Sequence, residues 1–274
     1  MTANPSFGPA MEAVLIGPDD PPAVETGEPD GVPRPFLLIA DHAGNRVPLA
    51  LGDLGLAEAE FSRHIGYDIG AAAVVRRMAL RLQAPRVLSA YSRLVVDCNR
   101  DPADPTCIPA ISDGVPIPGN RHLSVRQRAL RLAAIHEPYH RAVAARLGLF
   151  REAGTVPWLL SVHSFTPSLG GVVRPWDAGV LWNRDLRLAA PLMARLCAAG
   201  LTVGDNEPYS GRGVAYTIDR HAVPAGLPHG TVEIRQDHLE SKAGIDRWAD
   251  LLAGILEDMH VDFSGLPNTC RGPG

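Results

Sequence analysis

Short, continuously apolar runs alternate along this chain with longer stretches whose apolar positions recur every three or four residues. PFLLIADH (35–42) is apolar until its polar end, which predicts a strand buried on both faces that delivers Asp41 and His42 at its carboxyl edge. Residues 57–84 have helical periodicity with a break near Gly66–Asp68, and RVLSAY (86–91) and RLVVDCN (93–99) predict two further strands, the second running into charge. Residues 101–123 are proline-rich and aperiodic, a long loop of the kind that often carries function. Ser124 is placed to cap a helix over 124–150. PWLLSVHSF (157–165) predicts another buried strand, this one ending on His163, and AGVLWN (178–183) a further one. A helix over 185–199, a short strand from Leu201, a strand over 229–239 and an amphipathic helix over 241–260 follow.

This alternation predicts an α/β fold, a three-layer α/β/α sandwich around a mixed, largely parallel sheet. Residues 1–34 lack any period and read as an irregular arm, residues 35–262 as a single domain, and residues 263–274 as a tail. Ligands of such sheets bind at the carboxyl ends of strands. That rule collects Asp41–His42, Asp97–Asn99–Arg100, His163–Ser164 and Glu233–Arg235–Asp237 on one edge. Two imidazoles among carboxylates suit Zn²⁺, which in a catalytic site takes three protein ligands and keeps one position open. The arginines offer planar forks for a substrate carboxylate.

Composition removes other readings. Hydrophobic residues make up 46% and charged residues 20%, and the net charge of −4 creates no field that recruits nucleic acid or an anionic membrane. Lys242 is the single lysine, so Schiff-base chemistry has almost no candidate. Cys98, Cys107, Cys197 and Cys270 form no CxxC pair and suggest reduced thiols. No secretory leader pattern and no run of about 18 apolar residues is visible, so the expectation is a cytoplasmic protein. His136 and His140 have metal-compatible spacing, but Pro138 between them would disturb a helix there, so a packing role is expected. Ser164 has no GxSxG elbow around it.

The motifs LLIADHAGNRVP, HIGYDIGAA, YSRLVVDCNRDP, IPGN, SVHSFTP, DNEPYSGR and VEIRQD, in this order, resemble the N-formylglutamate amidohydrolase family over roughly residues 35–259. The resemblance implies a zinc carboxypeptidase-like fold and hydrolysis of the N-formyl or N-acyl amide of an acidic amino acid, as in the breakdown of N-formylglutamate during histidine degradation. It implies His42 and His163 as metal histidines, with Asp68 the preferred third ligand and Glu233 the general base. Arg93, Asn99, Arg100 and Arg235 are expected on the substrate's carboxylates, with Glu207 and Tyr209 close by. Carboxypeptidase-like enzymes keep a glutamate three residues after the first metal histidine, where this chain has Asn45. Asp41 and Asn45 therefore stand as alternative ligands or as residues orienting the ligands. The expected partner is a small N-acyl amino acid with a free carboxylate. The alternatives are a carboxylate-binding relative without chemistry and a hydrolase of a different N-acyl amino acid or small peptide.

Overall fold

The computed structural model describes residues 15–265; the first 14 residues of the expected arm and residues 266–274 of the expected tail lie outside them. A seven-stranded sheet organises the chain. Its strands are β1 (Val24–Gly27), β2 (Phe36–Ala40), β3 (Arg86–Ser89), β4 (Trp158–Phe165), β5 (Ala178–Leu181), β6 (Val203–Asp205) and β7 (His229–Arg235). The spatial order is β1-β3-β2-β4-β7-β5-β6. β3, β2, β4 and β7 run parallel, whereas β1 joins β3 and β5 joins β7 antiparallel. The sheet is therefore mixed and largely parallel, with β2, β4 and β7 at its centre. The segment read as an irregular arm contributes β1, because an edge position needs only a few paired residues and no apolar run.

β2 shows why the sheet carries helices on both faces. Phe36, Leu38 and Ala40 pack with α1 (Ala71–Leu82), α4 (Ala189–Ala198) and α6 (Lys242–Gly265), while Leu37 and Ile39 join a second core on the opposite face. That second core is closed by α3 (Glu137–Glu152), α5 (Tyr216–His221) and the turn between α2 (Val125–Arg131) and α3, through Ile135, Tyr139, Val143 and Ile218. Ser124 caps α2 in a reciprocal capping box with Gln127. A π-helical turn, Leu132–His136, links α2 to α3. It widens the helix just before Pro138, whose ring would otherwise clash with the preceding turn.

RLVVDCN is not a strand. Residues 93–99 form a buried, irregular segment whose carbonyls are met by side chains instead of a ladder. Asn120 Nδ2 donates to Leu94 O (2.8 Å), Arg131 Nη1 to Val95 O (3.2 Å), His140 Nε2 to Cys98 O (3.0 Å) and His136 Nε2 to Arg100 O (3.0 Å). Leu94, Val95 and Val96 are apolar because they fill the second core, and periodicity cannot separate that use from a strand. The histidine pair of α3 and the π turn thus holds the loop that carries Asp97, Asn99 and Arg100. Burial pushes the pKa of His140 down to about 3 and that of His221 down to about 4, so both remain neutral, with His221 Nε2 donating to His140 Nδ1 at 2.9 Å.

Candidate metal centre

β2 ends at Ala40, and the next two residues turn Asp41 and His42 into the molecule. Gly44 lets this turn press on the backbone after β3, since a Cβ there would lie 2.1 Å from Ala90 O. Asp68 is fixed by its own backbone, whose N–H donates to His42 O at 2.9 Å. Its side chain does not cap α1; Gly70 occupies the cap position, and Asp68 faces the histidines. His163 lies on β4, directly beside Glu233 of β7 in the parallel register.

The four groups meet in one buried cluster. Asp68 Oδ2 lies 3.3 Å from His42 Nδ1 and 2.7 Å from His163 Nδ1, and the two rings are 4.9 Å apart at their centroids. One ligand atom from each of His42, Asp68 and His163 falls within 4.8 Å of the others. Each imidazole is gripped from behind: His42 Nε2 sits 2.7 Å from Asp97 Oδ1 and His163 Nε2 3.0 Å from Asp41 Oδ2. With the proton on Nε2, both rings donate to a carboxylate and turn Nδ1 toward the same point, the orientation that carboxylates impose on metal-ligating histidines. Asp41 is itself held by the hydroxyls of Ser161 (2.9 Å) and Thr217. Asp97 accepts from Arg93 Nη2 (2.9 Å) and from the backbone N–H of Asn99 (2.8 Å).

The electrostatics ask for positive charge. Burial works to raise the pKa values of Asp41, Asp68 and Asp97, yet the imidazoles, with Arg93 at Asp97, hold all three below the ordinary aspartate range. Burial works to lower His42 and His163, and the surrounding carboxylates override it and raise both. A divalent cation among His42, His163 and Asp68 would meet that demand with the nitrogen and carboxylate donors that zinc takes. Glu233 behaves differently. Burial pushes it up to about 7, with His163 opposing and Asp68 adding, and its buried Oε2 has no hydrogen-bond partner.

The cluster opens on a cavity of about 150 Å³. His42, Asp68, His163 and Glu233 line it, together with Arg93, Asn99, Arg100 and Tyr209. Three expectations are corrected. Arg235, the last residue of β7, is engaged by Asp237 (2.8 Å) and Asp177 (3.3 Å), outside the cavity lining. Glu207 is exposed, and its backbone packs where Gly179 leaves room: a Cβ on Gly179 would meet Glu207 O. Asn45 donates to Phe61 O at 3.2 Å and stays outside the site. The carboxylate that faces both histidines is Asp68, while Asp41 stands behind His163.

His64, Thr166, Thr231 and Ser161 contribute to the lining or its support without having been expected there. Ser161 was findable, because it shares the face of His163 two residues earlier on the same strand. His64 sits on a turn inside the stretch whose periodicity reads as helix. Asp97→Asn, which removes the charge behind His42 but keeps the shape, is expected to weaken zinc binding about 10- to 100-fold. Competition with a chelator measures this, and undiminished affinity would show that His42 needs no such support.

The sequence model of one family, described as N-formylglutamate amidohydrolase, matches residues 34–239. The solved structure of a gene product from Agrobacterium tumefaciens is 32% identical, with a TM-score of 0.87 over 91% of this chain and 99% of that one. The structure of N-formylglutamate amidohydrolase from Ralstonia eutropha JMP134 is 19% identical, with a TM-score of 0.70 over 89% of this chain and 99% of that one, and shares the fold. No curated protein matches the chain significantly.

Proposed function

Since this chain belongs to the N-formylglutamate amidohydrolase family, we propose that it is a zinc-dependent enzyme that removes the N-formyl or a small N-acyl group from an acidic amino acid. Its place among hydrolases of amide C–N bonds follows from the family; the metal, the substrate and the residue roles are our reading. The observation that carries it is the convergence of His42 Nδ1, His163 Nδ1 and Asp68 Oδ2 on one point, beside a glutamate with an unpartnered buried oxygen.

In this reading His42, His163 and Asp68 hold the cation, which when bound polarises the amide carbonyl and makes water acidic enough to react near neutral pH. Glu233 accepts the proton of the attacking water at Oε2 and returns it to the departing nitrogen, a role that suits a carboxyl group poised near pH 7. Arg100 and Asn99 line the cavity and orient the substrate's α-carboxylate. Arg93 serves the site differently, since its contacts with Asp97 (2.9 Å) and Asp68 (3.6 Å) make it part of the frame that fixes the ligands.

No helix among the described residues is long and apolar enough to cross a membrane. Formate release from N-formyl-L-glutamate, measured beside a panel of other N-acyl amino acids with zinc-loaded and chelator-treated protein, tests the assignment. Zinc-dependent release from formylglutamate is expected. If the loaded protein cleaves another N-acyl amino acid and spares formylglutamate, the substrate assignment falls; if it cleaves none, the enzymatic reading falls.

A further inference from the structure

The loop that carries Asp97, Asn99 and Arg100 is held in two ways. Asp97 is fixed by backbone and by charge: its N–H donates to Cys107 O at 2.7 Å, and its carboxylate accepts from Arg93. Beyond it the chain hangs on imidazoles. His140 Nε2 lies 3.0 Å from Cys98 O and His136 Nε2 3.0 Å from Arg100 O, so two buried rings grip the backbone on either side of Asn99. A carbonyl oxygen only accepts, so each Nε2 carries the proton. The bare Nδ1 of neutral His140 must then accept, and His221 Nε2 donates to it at 2.9 Å. The ring of His221 stacks on that of His140 at 5.1 Å, and the ring of His136 lies 4.4 Å from it on centroids.

Burial holds all three histidines below the ordinary imidazole pKa, so they are uncharged near neutral pH. A neutral imidazole offers one donor and one acceptor, which fixes the direction from His221 to His140 to Cys98 O. The three rings stand outside the cavity lining, to which Asn99 and Arg100 belong. α5, which ends in His221, also donates from the Thr217 N–H to Asn99 Oδ1 at 3.1 Å. What these histidines control is therefore the aim of Asn99 and Arg100. The frame of Arg93, Asp97 and Asp68 around the ligands keeps contacts of its own.

We propose that His140 and His221 are positioning residues, a two-imidazole relay that aims Asn99 and Arg100 at the substrate and sets substrate affinity independently of the metal. This rests on the amidohydrolase reading for the substrate, whereas the relay stands on its own hydrogen bonds. Without the Nε2–H of His140, Cys98 O loses its imidazole donor. The hydroxyl of Thr217, 3.3 Å away, is already engaged by Asp41 and cannot replace it. The backbone at Asn99 is then free to turn, and the cavity loses a fixed receptor for a carboxylate.

His140→Phe is expected to raise KM for N-formylglutamate about tenfold, the worth of one buried hydrogen bond, with kcat and zinc affinity each within about threefold of wild type. His140→Gln, whose amide can donate to Cys98 O, should recover most of that loss. His221→Phe removes only the second link and should raise KM about threefold, with recovery in His221→Gln. Nitrogen NMR of labelled histidines reads the relay itself: His140 should hold its proton on Nε2 alone from about pH 8 to about pH 6, and lose that single tautomer in His221→Phe. Calorimetry of the zinc-loaded protein with glutarate, as a carboxylate probe, should show the same losses and recoveries without turnover. Should His140→Phe fail to fold, the His221 pair carries the test. The proposal is overturned if a folded Phe variant keeps wild-type KM and glutarate affinity, or if Nδ1 of His140 carries the proton in the wild type. It is equally overturned if substrate affinity, kcat and zinc affinity drop together and Gln restores none of them, as a purely structural role demands. If glutarate binding follows the donor while no N-acyl amino acid is cleaved, the amidohydrolase reading fails and the relay stands.

Discussion

His163→Ala is expected to yield a protein that holds no zinc after dialysis and hydrolyses N-formylglutamate no faster than background. His163 supplies one of the three ligand atoms that converge among the described residues, and its Nδ1 is 2.7 Å from the carboxylate oxygen that would share the cation. Catalytic zinc needs three protein ligands, and two leave it exchangeable. The change also removes the buried partner of Asp41 and Asp68, which should cost about 3 to 5 kcal/mol of stability. Metal content therefore has to be read on protein shown to be folded by circular dichroism. His42→Ala should give the same result by the same logic. Stoichiometric zinc and full turnover in either variant would remove the basis of the proposed site.

Glu233→Gln should behave in the opposite way with respect to metal. Gln keeps the shape and cannot take a proton, so zinc is retained while kcat falls about 10²- to 10⁴-fold. The pH profile adds a second readout. As a base, Glu233 works only when deprotonated, so activity should rise with pH through its pKa. Burial places that value near 7 in the metal-free site, and a bound cation draws it lower. The acid limb of kcat/KM should therefore lie at or below about pH 7 in the wild type and disappear in Glu233→Gln. A variant within about fivefold of wild-type kcat would transfer the proton-accepting role to another group.

Much of this arrangement was legible in residue order. A strand buried on both faces is apolar until it leaves the sheet, so β2 and β4 announce themselves, and the polar residues that end them are those that meet at the centre. Strand-end reasoning was less able to say how far a side chain reaches. Arg235 shares a face with Glu233, but two residues further along the strand it meets Asp177 and Asp237 instead of the cavity. Residues 93–99 misled for another reason. Their carbonyls are met by Asn120, Arg131 and His140, partners remote in sequence, and no local pattern reveals such pairings.

The irregular segment that carries Asp97 and Asn99 has a consequence for biogenesis. Its carbonyls wait for α2 and α3, Asn99 Oδ1 accepts from the backbone of Thr217, and Glu233 is translated later still. A nascent chain paused after His163 would hold all three candidate ligands and the carboxylates behind them, but neither Thr217, which holds Asp41 and Asn99, nor the proton acceptor. Tight cation uptake should then coincide with release from the ribosome, and chains truncated before Thr217 should fail to retain zinc despite an intact ligand set.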